Sequence, residues 1–150
     1  MLGDEVLTAP RNDGWTPAHQ AASAGNVDVL EVLARRCGAD VALVAKSRDG
    51  ETPAHCAARK GHIAALEYLA SVLGDAALKA PRADNGWTAA HEAASNGHVP
   101  VLEFLHGRFG LPFLLLKAHD GDTCVHVAAE RMHVDAVEYV EGLNGGPLYM

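Results

Sequence analysis

Aromatic residues are scarce in this chain, at 5% of 150 residues. A core with so few rings must be built from alanine, valine and leucine, which suits closely packed helices. Cysteine is scarce too. Cys37, Cys56 and Cys124 form no C-x-x-C pair, which excludes a disulfide framework and a thiolate zinc site and points to a reducing, cytoplasmic setting. Positive charge is in deficit. A net charge of −7 argues against nucleic acid as a partner, because such proteins carry a basic stripe. Long apolar runs are missing as well. The longest, Leu111 to Leu116, contains Pro112, whereas a membrane span needs roughly 20 residues. Residues 1–10 carry Asp4 and Glu5 and no apolar segment, so they are not a secretory signal. No P-loop, G-x-S-x-G or H-E-x-x-H motif occurs, so nothing marks an enzyme.

What the chain has is repetition. Residues 14–25 read GWTPAHQAASAG, 50–61 GETPAHCAARKG, 86–97 GWTAAHEAASNG and 121–132 GDTCVHVAAERM. His19, His55, His91 and His126 follow one another at 36, 36 and 35 residues by subtraction. A second block follows each first: NVDVLEVL, HIAALEYL, HVPVLEFL and HVDAVEYV. Its apolar residues fall at helical spacing, which predicts an amphipathic helix.

Each position has a physical reason. Thr16, Thr52, Thr88 and Thr123 stand where a hydroxyl can accept from the free N–H groups of a first helical turn. Pro17 and Pro53 come next, where a missing N–H costs nothing. The Ala-Ala pairs that follow keep the first helix thin. Gly25, Gly61 and Gly97 end it in the left-handed conformation. The predicted unit is turn, short helix, turn, longer helix, extended loop.

This pattern resembles the ankyrin repeat, whose motif runs G-x-T-P-L-H-x-A-A-x-x-G-H. The likeness covers about residues 10–142. It implies an all-α solenoid of helix–turn–helix units with β-hairpin loops, in one domain, with repeats near 13–48, 49–84, 85–119 and 120–144. It also implies that His19, His55, His91 and His126 tie each helix start to its neighbours. The chain departs from the family in two ways that recur together. Its period exceeds the usual 33 or so, and Ala18, Ala54, Ala90 and Val125 replace the leucine before the histidine. We expect the lengthened loops to turn Leu43, Leu78 and Leu115 inward to fill that space. Repeat four is the least regular, with Met132 for the helix-ending glycine. Six acids from Asp120 to Glu141 against Arg131 alone give it −5 of the total −7, as suits a capping unit.

Residues 2–11, LGDEVLTAPR, match 73–82, LGDAALKAPR. Residues 1–12 thus read as the closing hairpin of a preceding repeat, either starting the domain or left from a longer array. The nine histidines suggest a metal, but four belong to the T-x-x-H register and His62, His98 and His133 to the G-H position. Neither a metal nor a cofactor is expected. Cys56 fills a slot held elsewhere by Gln20, Glu92 and Val127, which offers no thiol catalyst.

The resemblance places variable partner-binding positions on a concave face. Carried over, these include Trp15, Lys46, Arg48, Glu51, Arg59, Lys60, Arg82, Trp87, Asn96 and Asp122. Both tryptophans occupy one slot, two repeats apart, with basic residues between them. That predicts a groove for a protein segment of acidic character. The other reading is that each tryptophan braces a neighbouring finger. The function expected is a monomeric protein-interaction module. The alternative is a regulatory or targeting domain within a larger, enzymatic protein.

Overall fold

The computed structural model describes residues 7–143. Four helix pairs follow one another: α1 (Pro17–Ala24) with α2 (Val27–Cys37), α4 (Pro53–Lys60) with α5 (Ile63–Leu73), α7 (Ala89–Ser95) with α8 (Val99–Phe109), and α10 (Cys124–Glu130) with α11 (Val134–Leu143). Short helices α3 (Ala39–Ala42), α6 (Ala76–Lys79) and α9 (Leu111–Leu114) fill the lengthened loops. The first helices pack side by side in the order α1, α4, α7, α10, and the second helices form a layer behind them.

Small side chains set the spacing of the front layer. Ala22, Ala58 and Ala94 are wholly buried between neighbours, while Leu30, Leu33, Leu66, Leu69, Leu102 and Leu105 fill the space behind. The stack is also stitched by backbone bonds between successive turns. The N–H groups of Arg48, Asp84 and His119 donate to the carbonyls of Asp13, Asp49 and Asn85. Each repeat is therefore held by its neighbours, as a linear array requires.

Two expectations need correction. The loops preceding each T-x-x-H helix are not β-hairpins, since no strand occurs among the described residues. Each is a tight turn closed by one bracket, Arg11, Ser47, Arg82 or Ala118 N–H to the carbonyl of Trp15, Glu51, Trp87 or Asp122. The extra residues have gone into α3, α6 and α9, leaving too little chain for a ladder. Secondly, Leu43 and Leu78 are buried as expected, but Leu115 is 36% exposed and Leu114 takes the inward place. Counting from the glycine that ends the long helix explains this. The fourth residue after Gly74 and after Gly110 turns inward, which selects Leu78 and Leu114, whereas after Gly38 the fourth and fifth, Ala42 and Leu43, are both buried. The filling is incomplete, and a cleft of about 120 Å³ remains beside Ala54, between Leu43, Leu69, Leu73 and Ala77.

Of the hairpin read at 1–12, residues 1–6 lie outside the described residues. Arg11 makes the same bracket before Trp15 that Arg82 makes before Trp87.

Candidate functional site

The T-x-x-H motif works as a double clasp. The backbone N–H of Thr16, Thr52, Thr88 and Thr123 donates to Nδ1 of the histidine three residues on, at 3.0–3.1 Å. Nδ1 is then an acceptor, so the neutral ring carries its proton on Nε2. From there it donates to the next repeat: His19 to the Glu51 carbonyl at 2.6 Å, His55 to Trp87 at 3.1 Å and His91 to Asp122 at 2.8 Å. Burial lowers the pKa of all three, to about 4 for His55. His126 makes the inner bond but is exposed.

On this frame sit the residues expected to meet a partner. Trp15 and Trp87 are half-buried, and each stacks on the histidine of its own repeat, Trp15 on His19 at 5.8 Å and Trp87 on His91 at 5.9 Å. Arg11 lies over the ring of Trp15, 5.0 Å from its centre. The indole N–H of Trp15 donates to Glu51 at 2.9 Å.

Glu51 opens a charge cluster between repeats two and three. Arg59 bonds to Glu51 and lies 3.6 Å from Glu92. Arg82 donates to Glu92 at 3.0 Å and to Asp84 at 2.8 and 3.0 Å, and reaches Glu51 at 3.6 Å. Burial pushes the Glu51 carboxyl up, but the bonds from Arg59 and Trp15 and the charges of Arg59 and Arg82 together outweigh this and hold it below its usual value. Burial dominates at Glu92 and raises it. Arg59 and Arg82 are thus neutralised from within, and the basic stretch between the tryptophans is narrower than the sequence suggests. Arg48 and Lys60 remain exposed. Asn96 is exposed nearby, while Asp122 is half-buried with its carbonyl committed to His91. Lys46 stands apart and lines the cleft beside Ala54.

Glu92 is the residue that sequence reasoning missed. Its slot holds Cys56 and Val127 in neighbouring repeats, all three buried between first helices, whereas Gln20 is exposed on the outermost one. The apolar choices at 56 and 127 were the signal that this slot faces inward. Cys56 is correspondingly inert, because burial raises its thiol pKa and so disfavours the thiolate.

No helix among the described residues is long and apolar enough to cross a membrane. The family model for ankyrin repeats (3 copies) matches residues 3–81, 37–110 and 73–142. No curated protein matches the chain.

Proposed function

The chain belongs to the ankyrin-repeat family, and from that premise we propose that it seats a segment of another protein across the turns and first helices. Ankyrin repeats are generally protein-binding modules, and the family is typically non-catalytic. The observation that carries the reading is the rigid ladder of turns and histidine clasps, which presents equivalent side chains from four repeats in one row. Binding then costs little ordering of the receptor.

Within the row, Trp15 and Trp87 serve as half-buried platforms braced by their histidines. Arg48 and Lys60 supply the exposed positive charge between them, which suits acidic side chains on the partner. Glu51, Arg59, Arg82 and Glu92 hold repeats two and three in register beneath the contact. The monomer suffices for this role. A second reading, a regulatory or targeting domain of a larger protein, draws on the likeness of residues 2–11 to 73–82. It differs only in where the partner site is delivered.

The test is capture of partners from a cell extract by the wild-type chain and by a variant combining Arg48→Glu, Lys60→Glu and Asn96→Arg. These side chains are exposed, so the variant keeps its melting temperature. Partners retained by the wild type and lost by the variant support the reading. The same set retained by both would remove this face from consideration.

A further inference from the structure

The exposed apolar surface of this protein does not lie on the row of turns. Nine large hydrophobic residues are exposed among the described residues, and none belongs to a turn before a T-x-x-H helix. Four of them sit in the lengthened loops: Val41 within α3 at 57%, Val44 just after it at 41%, and Leu115 at 36% and Leu116 at 45% just after α9. The loops form one continuous edge. Val44 and Lys46 share the cleft beside Ala54 with Ala77 and Ala80 of the second loop. Lys79 of that loop lies 5.3 Å from the ring centre of Phe109, which packs edge-on against Phe113 of the third at 5.0 Å.

This edge is also positive in a chain of net −7. Lys46, Lys79 and Lys117 are exposed along it, and no ion pair engages them among the described residues. Its acids are fewer. Asp40 is exposed, and Asp75 is bound to Arg108 at 2.8 Å. Lys46 and Lys117 hold equivalent places, each three residues after the buried leucine of its loop, Leu43 or Leu114. At 8–10 Å per helix layer, two repeats separate them by roughly 20 Å.

We propose that the edge formed by α3, α6 and α9 is a second docking surface, and that its occupant is an acidic amphipathic segment of another protein. One aliphatic side chain of that segment enters the cleft of about 120 Å³ beside Ala54. Further apolar residues lie along Val44, Leu115 and Leu116, and carboxylates meet Lys46 and Lys117. Exposed apolar side chains grouped with charged ones are a usual mark of such a site. Opposite charge selects the partner's sign and speeds encounter. This surface is independent of the row of turns, so either can fail alone.

The probe is a fluorescent synthetic helix with leucines along one face and glutamates on the rest, read by anisotropy. The same helix with lysines in place of glutamates, and vesicles of phosphatidylcholine with added phosphatidylserine, are the comparison arms. The acidic helix binds the wild type, and binding weakens as salt is raised. Lys46→Glu with Lys117→Glu weakens it about tenfold or more. Ala54→Leu, which closes the cleft from within, also weakens it, while Arg48→Glu with Lys60→Glu leaves it unchanged. The proposal is overturned if the acidic helix does not bind, if charge reversal at the two lysines has no effect, or if the lysine helix binds as well. Capture of anionic vesicles without the acidic helix overturns it in favour of a membrane surface.

Discussion

The imidazole of His62 occupies the place where a side chain on Gly25 would have to go. A Cβ on Gly25 would lie 2.6 Å from Nδ1 of His62, and the glycine has φ +72°. His98 stands in the same relation to Gly61, and His133 to Gly97. The G-H motif is thus one residue of each repeat resting on the helix end of the repeat before. Two costs follow from filling that space, a left-handed backbone for a residue with a Cβ and displacement of a packed ring. Gly61→Ala should therefore destabilise the protein by about 1–3 kcal/mol, read as a fall in the urea midpoint. The same change combined with His98→Ala, which removes the ring that a Cβ on Gly61 would meet, should cost only the strain. Equal losses with and without His98 would show that the histidine contact contributes nothing.

Met132 stands where the other repeats have this glycine. It has φ 64°, the one non-glycine with positive φ among the described residues, and it is 83% exposed. Among the described residues it is not covered by a histidine as the glycines are. Only backbone strain remains, and Met132→Gly should relieve about 1 kcal/mol of it. For a chain of this size that corresponds to a rise in melting temperature of roughly 2–4 °C. A melting temperature unchanged or lowered would mean that the methionine side chain stabilises the last repeat by contacts outweighing the strain.

The helices were legible in the sequence because each is written four times. Thr16, Pro17 and Gly25 announce start and stop by local chemistry that needs no tertiary context. The loops were not legible to the same degree. Whether Leu114 or Leu115 turns inward depends on where α9 begins after Gly110, and a run of three leucines conceals that register. The charge cluster was hidden for a different reason. Glu92 looks like a surface residue until α4 and α7 are placed against each other, and only then do Arg59 and Arg82 come within reach of it.

The histidine clasps should make stability depend on pH. Burial lowers the folded-state pKa of His19, His55 and His91 beneath the usual 6.5, to about 4 for His55. The unfolded chain then binds protons that the folded one refuses, so stability is full above pH 6.5 and falls as the pH drops below it. For His55 alone the loss by pH 4 is about 3 kcal/mol. Glu51, held low, adds a loss below its unfolded value near 4.5, whereas Glu92, held high, opposes it. Urea unfolding followed between neutral pH and pH 4 should show the decline, and His55→Gln should flatten it. A stability that stays level over that interval would be incompatible with neutral, buried clasps.

Glu92 joins two arginines across the junction of repeats two and three, and its side chain is 2% exposed. Removing its charge leaves Arg59 and Arg82 to share Glu51. Because the arginines keep 25% and 13% exposure, water offsets part of the loss. Glu92→Gln should then cost about 1–3 kcal/mol. The other repeats suggest the compensating change, since Val127 fills the slot of Glu92, and Ser23 and Ser95 that of Arg59. Glu92→Val with Arg59→Ser should recover part of what either loses alone. The coupling read from the four-membered cycle should exceed about 0.5 kcal/mol, the scatter expected of independent sites. Strict additivity would mean that the cluster is an arrangement of charges without mutual support.

Ala54 offers a gain instead of a loss. It is 5% exposed and borders a cleft of about 120 Å³ whose other walls are Leu43, Leu69, Leu73 and Ala77. The family pattern has leucine here, and the lengthened loop supplies Leu43 only in part. Ala54→Leu adds three apolar carbons in a place already walled by hydrocarbon, at about 0.8 kcal/mol for each one buried. Imperfect fit reduces this, and cavity-filling changes commonly yield about 0.5–2 kcal/mol. Ala18→Leu is the control, because Ala18 is 2% exposed and does not line the cleft beside Ala54. The extra carbons there must displace packed neighbours, which typically costs about 1–3 kcal/mol. Opposite signs at two equivalent alanines, measured by thermal unfolding, would establish that the loop and not the helix decides how the missing leucine is replaced.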